Sequence, residues 1–277
     1  MSVHDDLGIR MKTFYEQIPK TKLMRRTPVA IRIDGKAFHT FTRGFKKPFD
    51  EVLMKSMQQT MKYLCENIQG CVLGYTQSDE ITLILVDYKK LNSSAWFDYE
   101  VQKMCSIAAS MSTMAFNKYF AEEVTKFDKE NNLSSMDYFN NPENKMTKLH
   151  DTYWNACHKG AIFDARVFNI PKEEVANLIY WRQLDATRNS IQMVGQANFS
   201  HKELQDKSCN EIQDMLMVHK GINWNDFPVD QKRGSCCIKE AYEHDGVQRT
   251  QWVIDNNIPI FKGEDRDYIE SLINVGE

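Results

Sequence analysis

The sequence predicts an α+β fold whose elements follow the order β-α-β-β-α-β, the arrangement of ferredoxin-like domains. Two observations predict it. Short apolar runs, typical of strands, recur along the chain at 29–34, 71–76, 81–87 and 163–170. Apolar residues at helical spacing fill the intervals at 51–69 and 99–119. Added helices and a hairpin are predicted to follow this core.

Proline, aspartate and glycine mark the boundaries of the first elements. Pro28 precedes the first strand, where its missing N–H does least harm. Asp50 is predicted to cap the helix at 51–69, and Gly70 to end it. The next two strands are joined by Gln77-Ser78-Asp79-Glu80, which predicts a hairpin.

The second half begins with segment 128–160, which is rich in Asn, Lys and Asp and only weakly periodic. It is predicted to be a long excursion with short elements. Pro171 is predicted to open a long helix at 172–197, because proline is best tolerated at a helix start.

Two short helices and a hairpin are predicted to complete the chain. Ser200 and Ser208 each begin a capping-box pattern, with a glutamate three residues later. Asp245-Gly246 then lies between the runs 235–242 and 247–254, a strong signal for a β-hairpin.

Composition limits the classes of function. The chain has 277 residues, a net charge of −3 and 42% hydrophobic residues, as expected of a globular protein with a sizeable core. No apolar run approaches the roughly 20 residues that span a bilayer, so no membrane association is expected. Seven cysteines without a C-x-x-C pair favour a reducing cytoplasm. Because the net charge is negative, any nucleic-acid site must be a local basic patch.

Carboxylates stand at the ends of two predicted strands. The first strand runs into Asp34, and Asp79 and Glu80 lie in the turn of the following hairpin. If these strands are neighbours, the carboxylates converge on one sheet edge, where they could hold two Mg²⁺ ions for phosphoryl or nucleotidyl transfer. Gly35 would let its carbonyl approach an ion, since it has no Cβ.

Neighbouring residues extend this hypothesis. Arg32 and Lys36 are cations placed where a triphosphate would lie. Phe38 could stack a base and His39 could contact phosphate, or both could be ordinary core residues. The alternative for the carboxylates is that Asp34-Gly35 and Ser78-Asp79-Glu80 are simple turns.

The long helix carries polar residues at steps of three to four. They are predicted to form an exposed stripe, which could be a solvated face or could contact an RNA backbone. Its members are Arg182, Asp185, Arg188, Asn189 and Gln192, and the opposite face is formed by Leu178, Trp181, Ile191 and Val194.

Taken together, these motifs closely resemble the tRNA-His guanylyltransferase family over roughly residues 5–245. The motifs are Ile33-Asp34-Gly35-Lys36-Ala37-Phe38-His39, Tyr75-Thr76-Gln77-Ser78-Asp79-Glu80, Phe163-Asp164-Ala165-Arg166-Val167-Phe168 and Trp181-Arg182-Gln183-Leu184-Asp185. The resemblance implies a polymerase- or cyclase-type palm and, from the family, a homotetramer.

The resemblance also implies a reaction: nucleotides are added to the 5′ end of tRNA. The 5′-phosphate is first activated with ATP, and the 3′-hydroxyl of GTP or another nucleoside triphosphate then displaces AMP. The implied metal ligands are Asp34, the Gly35 carbonyl and Asp79, with Glu80 as a further catalytic acid. The implied nucleotide-binding residues are Arg32, Asp34, Gly35, Lys36, Ala37, Phe38, His39, Ser78 and Asp79.

One departure from the family bears on the substrate. Eukaryotic members carry His-Ile-Asn-Asn-Leu-Tyr-Asn after the Trp-Arg-Gln motif, whereas this chain has Ala186-Thr187-Arg188-Asn189-Ser190-Ile191-Gln192. The chain is in this respect similar to the guanylyltransferase-like branch, whose members resemble template-dependent 3′-5′ polymerases that repair 5′-truncated tRNA. Candidate RNA contacts are Arg182, Arg188, Asn189 and Lys202.

Three other functions stay open at this point: a true tRNA-His guanylyltransferase, a nucleotide cyclase, and an RNA-binding palm without activity. We expect one catalytic unit over residues 1–277. Residues 1–135 would form the palm core with the metal site, and residues 136–277 would complete the palm and bind RNA.

Overall fold

Six strands form one antiparallel sheet in the computed structural model, which describes residues 6–133 and 144–274. The strands are β1 (Val29–Gly35), β2 (Cys71–Gln77), β3 (Glu80–Leu85), β4 (Phe163–Asn169), β5 (Ser235–His244) and β6 (Val247–Asp255). Their order in the sheet is β4-β1-β3-β2-β5-β6, so β1 lies between β3 and β4. The predicted strands and the C-terminal hairpin are confirmed within two residues at each end.

Helices cover both faces of this sheet. They are α1 (Asp6–Met11), α2 (Phe38–Phe41), α3 (Glu51–Asn67), α4 (Val101–Glu130), α5 (Lys145–Lys159), α6 (Lys172–Asn198), α7 (His201–Leu204), α8 (Cys209–Lys220), α9 (Val229–Arg233) and α10 (Asp267–Ile273). A π-helical turn lies at Lys12–Glu16, and short 3-10 turns lie at Trp96–Tyr99, Trp224–Asp226 and Gly263–Arg266. Within residues 6–133 and 144–274, no helix is long and apolar enough to cross a membrane.

The prediction for segment 128–160 is wrong in part. Helix α4 continues to Glu130, and α5 occupies Lys145–Lys159, while residues 134–143 lie outside the described residues. The buried face of α5 includes Thr147 and His150 as well as Tyr153 and Ala156. Half of that face is polar and the segment as a whole is rich in polar residues, so its composition indicates a loop rather than a packed helix.

Alternate side chains of β1 point to opposite faces of the sheet. Val29, Ile31 and Ile33 belong to the core formed with α3 and α4. Ala30 belongs to the second core, which includes residues of α6 and α10. Since successive side chains of a strand point to opposite faces, Arg32 and Asp34 share the α6 side with Ala30.

An aromatic cluster fixes the chain immediately after β1. The ring centroids of Phe38 and Phe41 lie 5.1 Å apart, and those of Phe45 and Tyr153 lie 5.0 Å apart. Asp50, the predicted cap of α3, accepts hydrogen bonds from the Leu53 and Lys46 N–H groups and from the Tyr153 hydroxyl. The segment between β1 and α3 is therefore anchored at several points.

Candidate active site

A row of carboxylates crosses three strands at one edge of the sheet. Asp34 of β1 stands opposite Glu80 of β3 on one side and opposite Asp164 of β4 on the other. Directly opposed residues of antiparallel strands have Cβ atoms about 4.5–5.5 Å apart. The hypothesis that β1 and the hairpin bring their acidic residues together is confirmed for Asp34 and Glu80.

A basic row lies next to the acidic one. Arg32 stands opposite Arg166, two residues along the strands from Asp34 and Asp164. The Arg166 guanidinium lies 3.4 Å from Asp164 and 4.0 Å from Asp34. Asp164 and Arg166 belong to one of the motifs that carry the family resemblance, but the sequence analysis assigned them no role in the site. Because Asp164 and Arg166 are two residues apart in β4, their side chains share one face of the sheet. The pairing of β4 with β1 shows that this is the face that carries Asp34.

The hairpin turn brings Asp79 to the same place. Ser78 adopts a left-handed conformation with a φ of 51°, and its hydroxyl lies 3.1 Å from the Asp79 carboxylate. The Gly35 N–H donates to the Asp79 carbonyl at 3.1 Å. The end of β1 and the turn between β2 and β3 are therefore tied together through their backbones.

Asp79 is in an environment that resists its negative charge. The pKa of Asp79 is raised to about 6, mainly by burial and to a smaller extent by the neighbouring charges of Asp34 and Glu80. Hydrogen bonds from its own backbone N–H and from Ser78 act in the opposite direction. A divalent cation beside this carboxyl group would favour the ionised form.

Gly35 is confined by the packing of the loop that follows it. A Cβ at this position would lie 2.2 Å from Cδ2 of Phe38, far inside van der Waals contact. Phe38 is itself buried, with its ring 5.2 Å from that of Phe163 and 5.5 Å from that of Phe116. The stacking of a base on Phe38 is therefore excluded, because its ring belongs to the core.

The rest of the predicted phosphate-binding loop is on the surface. Lys36, Ala37 and His39 are exposed, and Ala37 has a left-handed φ of 54° that starts the short helix α2. The Lys36 N–H donates to the Ile162 carbonyl at 2.8 Å. This loop thus displays a lysine and a histidine beside Asp34 on a rigid base.

The interpretation of Arg182 as part of an exposed stripe is wrong. Arg182 is only 4% exposed, because its guanidinium forms ion pairs with Glu80 and, at 2.9 Å, with Asp185. Arg32 also lies 3.6 Å from Glu80. The carboxylate of Glu80 thus holds Arg182 inside, which removes this arginine from the surface available to RNA.

The other stripe residues are placed differently. Arg188 is largely exposed and pairs with Asp185. Asn189 lines a cleft that Ser78 and Asp50 also line. Lys202 is exposed on α7. Trp181, expected on the buried face, is 50% exposed, because the helix turns its indole toward Arg32 rather than into the core.

The donor set suits a hard cation. Asp34, Asp79 and the Gly35 carbonyl offer oxygen ligands only, which Mg²⁺ prefers. Among the described residues, no group of three or more His, Cys, Asp or Glu side chains is arranged to hold a metal ion. Any such site therefore needs backbone carbonyl, substrate or water oxygens besides the two aspartates, as is usual for Mg²⁺.

Comparison with known proteins decides the family. Residues 9–171 match the model of the Thg1 family, described as tRNAHis guanylyltransferase. The chain belongs to this family. It is accordingly a nucleotidyltransferase, and the matched region contains β1 to β4 with the whole carboxylate row.

A solved relative matches nearly the full length of the chain, and a curated one matches about three quarters of it. A bacterial Thg1-like protein solved in complex with ATP is 41% identical, with a TM-score of 0.77 over 98% of this chain and 100% of that one. A complex with GTP gives 39% identity and a TM-score of 0.76 over the same shares. The tRNA(His) guanylyltransferase of Saccharomyces cerevisiae is 26% identical over 227 residues, 77% of this chain and 83% of the yeast protein.

The packing of Gly35 leads to a prediction. Gly35→Ala should lower the free energy of unfolding by about 1–3 kcal/mol, because the new methyl group overpacks the Phe38 ring. Urea denaturation measures this. As a single change, Phe38→Leu should lower the free energy of unfolding. In the double variant, it should partly relieve the loss caused by Gly35→Ala. Strictly additive losses would contradict the proposed clash.

Proposed function

We propose that this protein adds nucleotides in the 3′-5′ direction to tRNA 5′ ends and repairs 5′-truncated tRNA by templated addition. The observation that carries the proposal is the meeting of Asp34 and Asp79 at one sheet edge, beside the exposed loop that holds Lys36 and His39. The family of the chain and its likeness to a protein solved with ATP and with GTP support it.

The antiparallel sheet would serve as a palm in this reaction. A palm presents acidic residues on one face of an antiparallel sheet and leaves room there for a polynucleotide. Here Asp34 is 38% exposed and Asp164 is 56% exposed on the α6 side of the sheet. Substrates can therefore reach the carboxylates from solvent.

Asp34, the Gly35 carbonyl and Asp79 would hold two Mg²⁺ ions. Bound there, the ions would neutralise phosphate charge and activate the attacking oxygen. The protein supplies the spacing, since the hydrogen bond from Gly35 to the Asp79 carbonyl keeps both carboxylates at the same edge. Residue 35 has no side chain, and the packing of the Phe38 ring leaves no room for one.

The loop after Asp34 would bind the triphosphate. The first N–H groups of a helix have no partner within it, so those of Phe38 and His39 at the start of α2 are available to phosphate oxygens. Lys36 adds a charge-assisted contact. Phe38 then contributes through its backbone, while its buried ring fixes the loop. Ser78 would contribute from the hairpin turn.

Glu80 would act as a fixed charge rather than as a freely mobile acid. Its carboxylate accepts from Arg182 and lies near Arg32, and both cations offset its charge. Because Glu80 directly follows Asp79, this anchoring also sets the direction of the turn. Loss of Glu80 would leave Arg182 buried beside one remaining partner, Asp185.

Templated repair is favoured over guanosine addition to tRNA-His by the sequence at 186–192. In place of the eukaryotic run, Arg188 is exposed and Asn189 lines the cleft shared with Ser78. Both residues would contact RNA or an incoming nucleotide. Selection by base pairing with the 3′ acceptor strand would then require no reading of the anticodon.

Asp34→Ala and Asp79→Ala should each abolish both activation of the 5′-phosphate and nucleotide addition, because both steps would share one metal pair. Product formation from labelled ATP and 5′-truncated tRNA measures the two steps separately. Asp151→Ala, an exposed carboxylate on α5, is the matched control and should keep normal activity. Near-normal activity of either site variant with Mg²⁺ would show that the metal assignment is wrong.

Templated addition predicts a broad choice of tRNA. When tRNAs of different identity, each lacking the first 5′ nucleotide, are offered with all four nucleoside triphosphates, the complementary nucleotide should be added to each. Changing the anticodon should alter the rate of nucleotide addition by no more than a few fold relative to the unchanged tRNA. Addition of guanosine alone, confined to tRNA-His and opposite a base that does not pair, would identify a true tRNA-His guanylyltransferase instead.

A further inference from the structure

Beside the carboxylate row, one exposed face of α6 carries an aromatic, an aliphatic and a basic side chain. This set differs from the polar stripe predicted from the sequence. Trp181, Leu184 and Arg188 recur at steps of three and four, so they lie on one face of the helix. Trp181 and Leu184 are each 50% exposed, and the side chain of Arg188 is 61% exposed. This set is called the α6 stripe below.

The indole of Trp181 is held beside the carboxylate row. The guanidinium carbon of Arg182 lies 4.6 Å from the ring centroid, and that of Arg32 lies 5.2 Å from it. Both arginines also meet Glu80, whose partner across the strands is Asp34. Trp181 is therefore fixed in place although half of its surface faces solvent.

The core does not require an exposed indole at this position. The buried face of α6 is filled by smaller residues such as Val175 and Ile179, which are fully buried. A tryptophan left half in water, with two cations against its ring, is instead suited to stack on a nucleobase. Arg188 supplies a cation for a phosphate further along the same face.

We propose that the α6 stripe binds the reacting end of the RNA, with the terminal 5′ base stacked on Trp181 and the following backbone phosphate near Arg188. Residues 181 and 188 are separated by about 10 Å along the helix. The ion pairs of Arg182 and Arg32 with Glu80 set this face beside the carboxylates, where the reacting 5′ end would lie, while the incoming triphosphate is assigned to the loop at residues 36–39. This inference rests on the proposed function, since it takes tRNA to be the substrate.

A cycle of protein and RNA changes tests the stacking contact directly. The affinity of 5′-truncated tRNA is measured by fluorescence anisotropy without nucleoside triphosphates. The RNA carries either its normal terminal nucleotide or an abasic one, and the protein is wild type, Trp181→Ala or Trp181→Phe. Trp154→Ala is the matched control, because Trp154 is 55% exposed but lies on α5.

Trp181→Ala should weaken binding of the intact RNA by about 5- to 100-fold, the range for loss of one stacked base. For the abasic RNA, Trp181→Ala and the wild-type protein should have the same affinity. Trp181→Phe should keep binding within about threefold, and Trp154→Ala should bind as wild type. Unchanged thermal midpoints would confirm that the variants are folded, as expected for a half-exposed side chain.

Three results would overturn the inference. An equal loss for intact and abasic RNA would show that Trp181 does not contact the terminal base. Weaker ATP binding by Trp181→Ala, with RNA affinity unchanged, would assign the indole to the incoming nucleotide. Binding of tRNA with the expected Trp181 pattern but without nucleotide addition would contradict the proposed function alone. No binding of tRNA to the wild type would contradict both.

Discussion

The pairing of β1 with its neighbours is the constraint on which the site depends. One register places Asp34 opposite Glu80 and Asp164, and the hydrogen bond from Gly35 to the Asp79 carbonyl joins the strand end to the hairpin turn. A shift of this register by one residue would turn Asp34 into the core and bring Ile33 to the open face. The buried residues of β1 that contact α3 and α4 prevent such a shift, so the hydrophobic core secures the position of these carboxylates.

Charge balance is the second requirement, because clustered carboxylates repel one another. Arg182 and Arg32 offset the negative charge of Glu80, and Arg166 offsets that of Asp164. Asp79 is left in an environment that raises its pKa to about 6. Arg166 also lies 4.0 Å from Asp34, so Asp79 is the carboxylate of this group whose charged form is disfavoured and which a bound cation would stabilise most.

Local signals in the sequence predicted most of this arrangement. The strands around Asp34 and Asp79, the cap at Asp50 and the C-terminal hairpin follow from periodicity and turn chemistry, which depend on neighbouring residues. The burial of Arg182 and the exposure of Trp181 could not be predicted in this way. Arg182 depends on Glu80 and Trp181 on Arg32, which are distant in the sequence, and contacts across such separations leave no periodic signal. Helix α5 was missed for a related reason, since its buried face includes a threonine and a histidine.

The central claim is that Asp34 and Asp79 hold the divalent cations of the reaction. The most direct measurement is anomalous scattering from crystals of the protein grown with Mn²⁺ and a non-hydrolysable ATP analogue. The account predicts anomalous density in contact with the carboxylates of Asp34 and Asp79 and with the Gly35 carbonyl, with the triphosphate along residues 36–39. Density at Glu80 and Asp164 instead, or a triphosphate bound away from this loop, would contradict it.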